Sequence, residues 1–123
     1  MKTLRIAATA TVIGVSLIAT APTASANSFN VSVGGGGTVS YNDGTDTVCA
    51  SLSSGSGYDV LDITVYPVVA GRGPTWTFNV HRGGKVCRSL ATAYEDSAYK
   101  YLGGLGYEPP CRCGTRFGDD FYS

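Results

Sequence analysis

From Phe29 onward, apolar and polar positions alternate in short runs, and turn residues punctuate the runs. Phe29, Val31 and Val33 alternate with Asn30 and Ser32, a period-two pattern that predicts a strand with one buried face. Val39 and Tyr41 resume the pattern, Asn42-Asp43-Gly44 signals a tight turn, and Thr47–Leu52 reads as the returning strand. Tyr58–Val69 is the longest alternating stretch, with Val60, Ile63, Val65 and Val68 on or near one face. Pro67 lacks a ladder donor, which predicts an edge strand or a bulge there. Trp76, Phe78 and Val80 share one face of the next run. Gly83-Gly84 predicts a two-residue hairpin leading into Val86 and Cys87.

Three segments depart from this rhythm. Four consecutive glycines, Gly34–Gly37, predict a flexible hinge or wide loop, because glycine loses most backbone freedom on ordering. Within Ser89–Leu102, the residues Leu90, Ala93, Tyr94, Ala98, Tyr101 and Leu102 fit a helical stripe. Tyr99 and Tyr101 also fit a strand after a turn at Glu95-Asp96-Ser97, and the β-rich context favours strands. Tyr107–Ser123, with Pro109-Pro110, reads as a tail that needs a disulfide to be ordered. The expected fold class is all-β: a small antiparallel β-sandwich or partly closed barrel of six to eight strands, stapled by disulfides.

The first 26 residues belong to a different pattern. Lys2 and Arg5 precede an apolar stretch from Ile6 to Ala21, Pro22 breaks it, and Ala24-Ser25-Ala26 supplies small residues for cleavage. This is a secretory signal peptide, and its apolar core is shorter than the ~20 residues of a spanning helix. The expected division is a signal peptide over 1–26 and one secreted β domain over 27–123. Removing Lys2 and Arg5 leaves seven basic against nine acidic residues, a formal charge of −2. That balance gives no footprint for nucleic acid or for anionic membranes.

All four cysteines, Cys49, Cys87, Cys111 and Cys113, follow residue 26, and an even count in an exported domain predicts two disulfides. Cys111 with Cys113 would close a strained ring, so the two tail cysteines are expected to reach back separately to Cys49 and Cys87. The alternative joins Cys49 to Cys87, which occupy the two best strand contexts. Cys111-Arg112-Cys113 lacks the spacing of zinc thiolates, and no metal or cofactor is expected.

Chemistry has few carriers. His81 is the single histidine, no serine occupies a Gly-x-Ser-x-Gly elbow, and His81 with Glu95 is the one acid–base pair worth testing for a small hydrolase. Glu108 and several arginines complete the residue types of small secreted ribonucleases, without a local catalytic motif. Asp43/Asp46 and Asp59/Asp62 are spaced by three, which puts strand carboxylates on opposite faces. Asn42–Asp46 resembles a calcium loop but lacks the later bidentate glutamate.

Two features point to binding instead. Tyr94, Tyr99, Tyr101 and Tyr107 fall within 14 residues, and tyrosine suits interfaces because it is large, stiff and polar-tipped. Phe29, Val31 and Val33, on a glycine tether, form a strand that can complete another protein's sheet. The run Asp43-Gly44-Thr45-Asp46-Thr47-Val48-Cys49, with Gly83-Gly84-Lys85-Val86-Cys87, resembles small secreted Gly-rich, disulfide-containing β-proteins of actinobacteria over residues 38–90. That resemblance implies an exported β-fold and carries no active site. The streptomycete amylase inhibitors are also two-disulfide β-sandwiches, but Trp76-Thr77-Phe78 lacks the arginine of their Trp-Arg-Tyr loop. The expected function is protein binding outside the cell, as an inhibitor of an extracellular enzyme or as a subunit of a larger exported, toxin-type complex. The competing classes are a hydrolase using His81 and a free-standing antimicrobial or cell-wall-binding protein.

Overall fold

Eight strands form among the described residues, the first six of them where the alternation predicts strands: β1 (Phe29–Gly34), β2 (Gly37–Asn42), β3 (Thr47–Leu52), β4 (Val60–Pro67), β5 (Trp76–His81), β6 (Lys85–Ser89), β7 (Ala98–Gly106) and β8 (Arg116–Tyr122). The computed structural model describes residues 27–108 and 114–123. Residues 1–26, expected to be a signal peptide, and Cys111 and Cys113 lie outside the described residues. The strands make two antiparallel four-stranded sheets, ordered β1-β2-β3-β6 and β5-β4-β7-β8.

One face of each strand meets the other sheet. Val39, Tyr41, Val48, Ala50 and Leu52 from the first sheet pack against Leu61, Ile63, Val65, Val80, Tyr99 and Leu105 from the second. All of these are buried. Tyr41 is held at the edge of this core by its hydroxyl, which donates to Asp46 Oδ1 at 3.1 Å. Burial first, and then Asp46, push the Tyr41 phenol far above its ordinary range. Tyr99 is fully buried, and its hydroxyl donates to the Pro74 carbonyl at 2.9 Å. Tyr99→Phe should therefore cost about 1 kcal/mol, by leaving that carbonyl without its donor. Thermal unfolding should show a melting point lower by about 4–8 °C.

Several expectations need correction. Gly34–Gly37 is not a flexible hinge but a tight β1–β2 hairpin, with Gly34 paired to Gly37 and Gly35 and Gly36 at φ of 55° and 86°. Two successive positive φ values suit the twist of a two-residue hairpin, and a Cβ on Gly35 would sit 2.6 Å from the Tyr58 ring. Pro67 is not on an edge strand or at a bulge, but it lies past Val65, the last β4 residue paired with β5, so its missing donor falls on a locally unpaired side. It closes β4, a central strand, opposite Tyr99, where the ladder ends. Val68 is exposed, with its N–H donating to the Ala98 carbonyl at 2.9 Å, while Leu61 is buried.

Gly83-Gly84 does not join paired strands either, since β5 and β6 belong to different sheets and the turn carries the chain across the sandwich. Ser89–Leu102 contains no helix. β6 ends at Ser89 and β7 begins at Ala98, after a turn with Asp96 at φ 55°. The expected unordered tail contributes β8, paired with β7 from Ala98↔Tyr122 to Gly104↔Arg116.

The disulfide joins Cys49 to Cys87, so the two tail-to-body links are overturned. The physical reason is topological. β6 returns beside β3 and sets Cys49 directly opposite Cys87, with Cα atoms 4.0 Å apart. Both side chains lie on the outer face of the sheet, since Val48 and Ala50 alternate with Cys49 to face the core.

Candidate partner-binding edge

A sandwich has two open sides, and here they are treated differently. On one side β5 and β6 are tied together. Trp76 Nε1–H donates to the Ser89 carbonyl at 2.9 Å, and the Arg88 guanidinium lies 5.7 Å from the Trp76 ring and 5.2 Å from the Phe78 ring. On the other side β1 and β8 face each other across a cleft of about 290 Å³, lined among others by Phe29, Val31, Tyr101, Asp119, Phe121 and Tyr122. Phe29 reaches into it, stacked on Tyr101 at 5.7 Å and edge-on to Phe121 at 5.3 Å. These are favourable aromatic geometries.

The hydrogen-bond alternation shows which backbone groups of β1 are free for a partner. The Leu52 N–H donates to Gly84, and the Leu52 carbonyl accepts from Gly83, so Leu52 faces the β6 side. By alternation Val48 and Ala50 bond β6, while Cys49 and Ser51 bond β2. Their β2 partners Ser40 and Thr38 therefore face β3, which leaves Val39 and Tyr41 to face β1. Those two pair with Val31 and Phe29. The N–H and C=O groups of Asn30 and Ser32 consequently point to the open edge.

Edge strands are ordinarily blunted by charge, proline, a bulge or an inward-pointing ionised residue. β6 has Lys85 and the inward Arg88, and β8 has Asp119 on the face shared by Phe117 and Phe121. β1 has only a bulge at its hairpin end, between Ser32 and Gly34. From Phe29 to Ser32 it is regular, uncharged and free of proline. The Asp119 carboxylate also adds to burial in raising the Tyr101 phenol above its ordinary value, with burial the larger cause.

The binding residues expected from the sequence separate into groups. Phe29, Val31 and Val33 are half-buried and packed against the core, in place on their own domain's sheet. Tyr99 and Tyr101 are 0% and 4% exposed and cannot form a surface patch, because they occupy the inward positions of β7. Tyr94 and Tyr107 are exposed, but they sit apart. Tyr107 lies against Tyr58 at 5.4 Å, and Tyr94 lies under the Arg72 guanidinium at 5.1 Å. Tyr122, an aromatic of the expected tail, is 55% exposed. It lines both the β1/β8 cleft and a smaller cavity with Val69 and Arg72. The alternation Phe117, Asp119, Phe121 was the signal that could have revealed β8 and this cleft.

His81 is not beside Glu95. Its Nδ1 lies 3.3 Å from Glu108 Oε1, with Arg82 paired to Asp59 next to it. The His81 side chain is 67% exposed, and His81 lines none of the cavities described here. A solvated side-chain contact of this kind has no enclosed place in which to orient a substrate. No cluster of three or more metal-ligating side chains occurs among the described residues. No family model, no curated protein and no solved structure matches this chain.

Proposed function

We propose that this chain is a secreted protein-binding module that accepts an extended segment of another exported protein along β1. It would act as an inhibitor of an extracellular enzyme or as a subunit of a larger exported complex. The observation that carries this reading is β1 itself: an uncharged edge strand, with outward backbone groups at Asn30 and Ser32, beside an open aromatic cleft. Strand addition at such an edge draws affinity from main-chain hydrogen bonds and specificity from alternate side chains. The signal-peptide pattern supports export, and the Cys49–Cys87 disulfide is compatible with an oxidising location. The direction of donation differs from the simplest reading of a tethered strand, because Phe29–Val33 is already paired with β2. The domain receives a strand rather than lending its own.

The test compares Asn30→Pro with Val31→Pro. Proline at residue 30 removes an N–H that faces outward and leaves the β1–β2 ladder whole, whereas proline at residue 31 removes an internal ladder donor. The Asn30→Pro protein should keep its circular dichroism spectrum and melting point, yet run at lower native mass than wild type in its own culture fluid. Its affinity for the partner should fall by at least about tenfold, the worth of roughly 1.4 kcal/mol. An Asn30→Pro protein that folds and still travels with the partner at full affinity sinks strand addition at β1. The Val31→Pro protein should be destabilised whether or not the partner is present.

A further inference from the structure

A strand added to β1 must continue its pleat, so its side chains alternate between the outer face and the cleft. On β1 the inward positions are Phe29, Val31 and Val33. The inward side chains of an added strand would therefore descend between β1 and β8 and meet Phe121, Tyr122 and Asp119. Aromatic and apolar side chains line that surface together with Asn27, Ser28, Asp119 and Asp120. Asp119 is the charged residue that matters here. It stands opposite Tyr101 in the β7–β8 ladder, on the inward face of β8.

Asp119 Oδ1 accepts the Asp120 N–H at 2.8 Å, and no cation is paired with it among the described residues. The neighbouring carboxylate is occupied differently: Asp120 meets Lys100 at 3.4 Å, opposite it in the same ladder. Asp119 thus blunts the β8 edge and at the same time places at the mouth of the cleft a negative charge that no described cation pairs with. A second copy of this chain, pairing β1 with β1, would bring no basic residue to it, because β1 has none.

We infer that the segment accepted at β1 belongs to a different protein and carries apolar side chains flanking one lysine or arginine on its inward face, with the cation placed against Asp119. This rests on the strand-addition reading, and it names the chemistry of the partner. Opposite charge across the cleft would select the partner's register, since a one-residue slip turns the cation outward.

The experiment titrates the protein with two seven-residue peptides, capped at both ends, and follows the amide signals of Asn30 and Ser32. One is Thr-Val-Thr-Lys-Thr-Val-Thr, and the other has glutamate in place of lysine. The lysine peptide should bind about tenfold more tightly than the glutamate peptide, as expected for one ion pair gained against one like-charge contact. In Asp119→Asn the ratio should collapse towards one, and in Asn30→Pro both peptides should weaken. Equal affinities in wild type, still lost in Asn30→Pro, overturn the charge inference and leave the edge strand standing. Binding that ignores Asn30→Pro, or no binding of either peptide, overturns both.

Discussion

Gly103→Ala is expected to destabilise the domain by about 3–4 kcal/mol, near the upper end of what one overpacked methyl group costs. Gly103 lies in β7 between β4 and β8, opposite Ile63 and Phe117. A Cβ there would overlap the Asp62 carbonyl oxygen and stand 2.6 Å from the Phe117 ring. The oxygen is main chain in a central strand, so relief requires β4 to shift against both its neighbours. The ring is carried by β8, the strand that also supplies Asp119 and Phe121 to the cleft, so the same methyl group would disturb the proposed binding edge. The melting point should fall by about 15–20 °C for a domain of this size. Gly57→Ala is the matched control, since nothing lies within 4 Å of its added Cβ. That variant should stay within about 0.5 kcal/mol of wild type. If the two variants melt together, the close approach of β7 to β4 is wrong.

Removing both ends of the disulfide, Cys49→Ala with Cys87→Ala, should cost about 3 kcal/mol. The bridge spans 38 residues of chain. For a loop of that length the chain-entropy model gives about 4 kcal/mol, and measured losses commonly fall short of it. The bridge also holds β6, a five-residue edge strand, against β3. Replacing both cysteines avoids a free thiol that could exchange. Urea unfolding of the two proteins measures the loss. Peptide mapping without reduction checks the pairing, which should appear as Cys49 joined to Cys87. Fragments joining either residue to Cys111 or Cys113 would contradict the β3–β6 register.

Much of the fold was legible because strand alternation is local. Phe29–Val33, Thr47–Leu52 and Trp76–Val80 announced themselves by period two, and each became a strand. The errors came from what alternation does not encode. Cys49 and Cys87 pair because β6 crosses back beside β3, and no local signal says which strands become neighbours. Gly83-Gly84 has the composition of a hairpin, yet the strands it joins diverge into separate sheets. The tyrosines were misjudged for a related reason. Tyr99 and Tyr101 lie two apart and so share one face of β7, but only the packing of the second sheet shows that this face is the core. The site was half legible: Phe29, Val31 and Val33 stood out, while Asp119 and Phe121 were hidden in what looked like a tail.

The fate of the outward backbone groups of β1 is the central claim, and amide hydrogen exchange reads it directly. The protein recovered with its partner should be compared with the protein alone. In the free protein, Asn30 and Ser32 should exchange quickly, and Val31 slowly through its bond to β2. In the complex, Asn30 and Ser32 should become protected while the β5 amides stay unchanged. Fast exchange at Asn30 and Ser32 in both states, with protection gained along β5 or at the surface around Tyr94, would contradict the account.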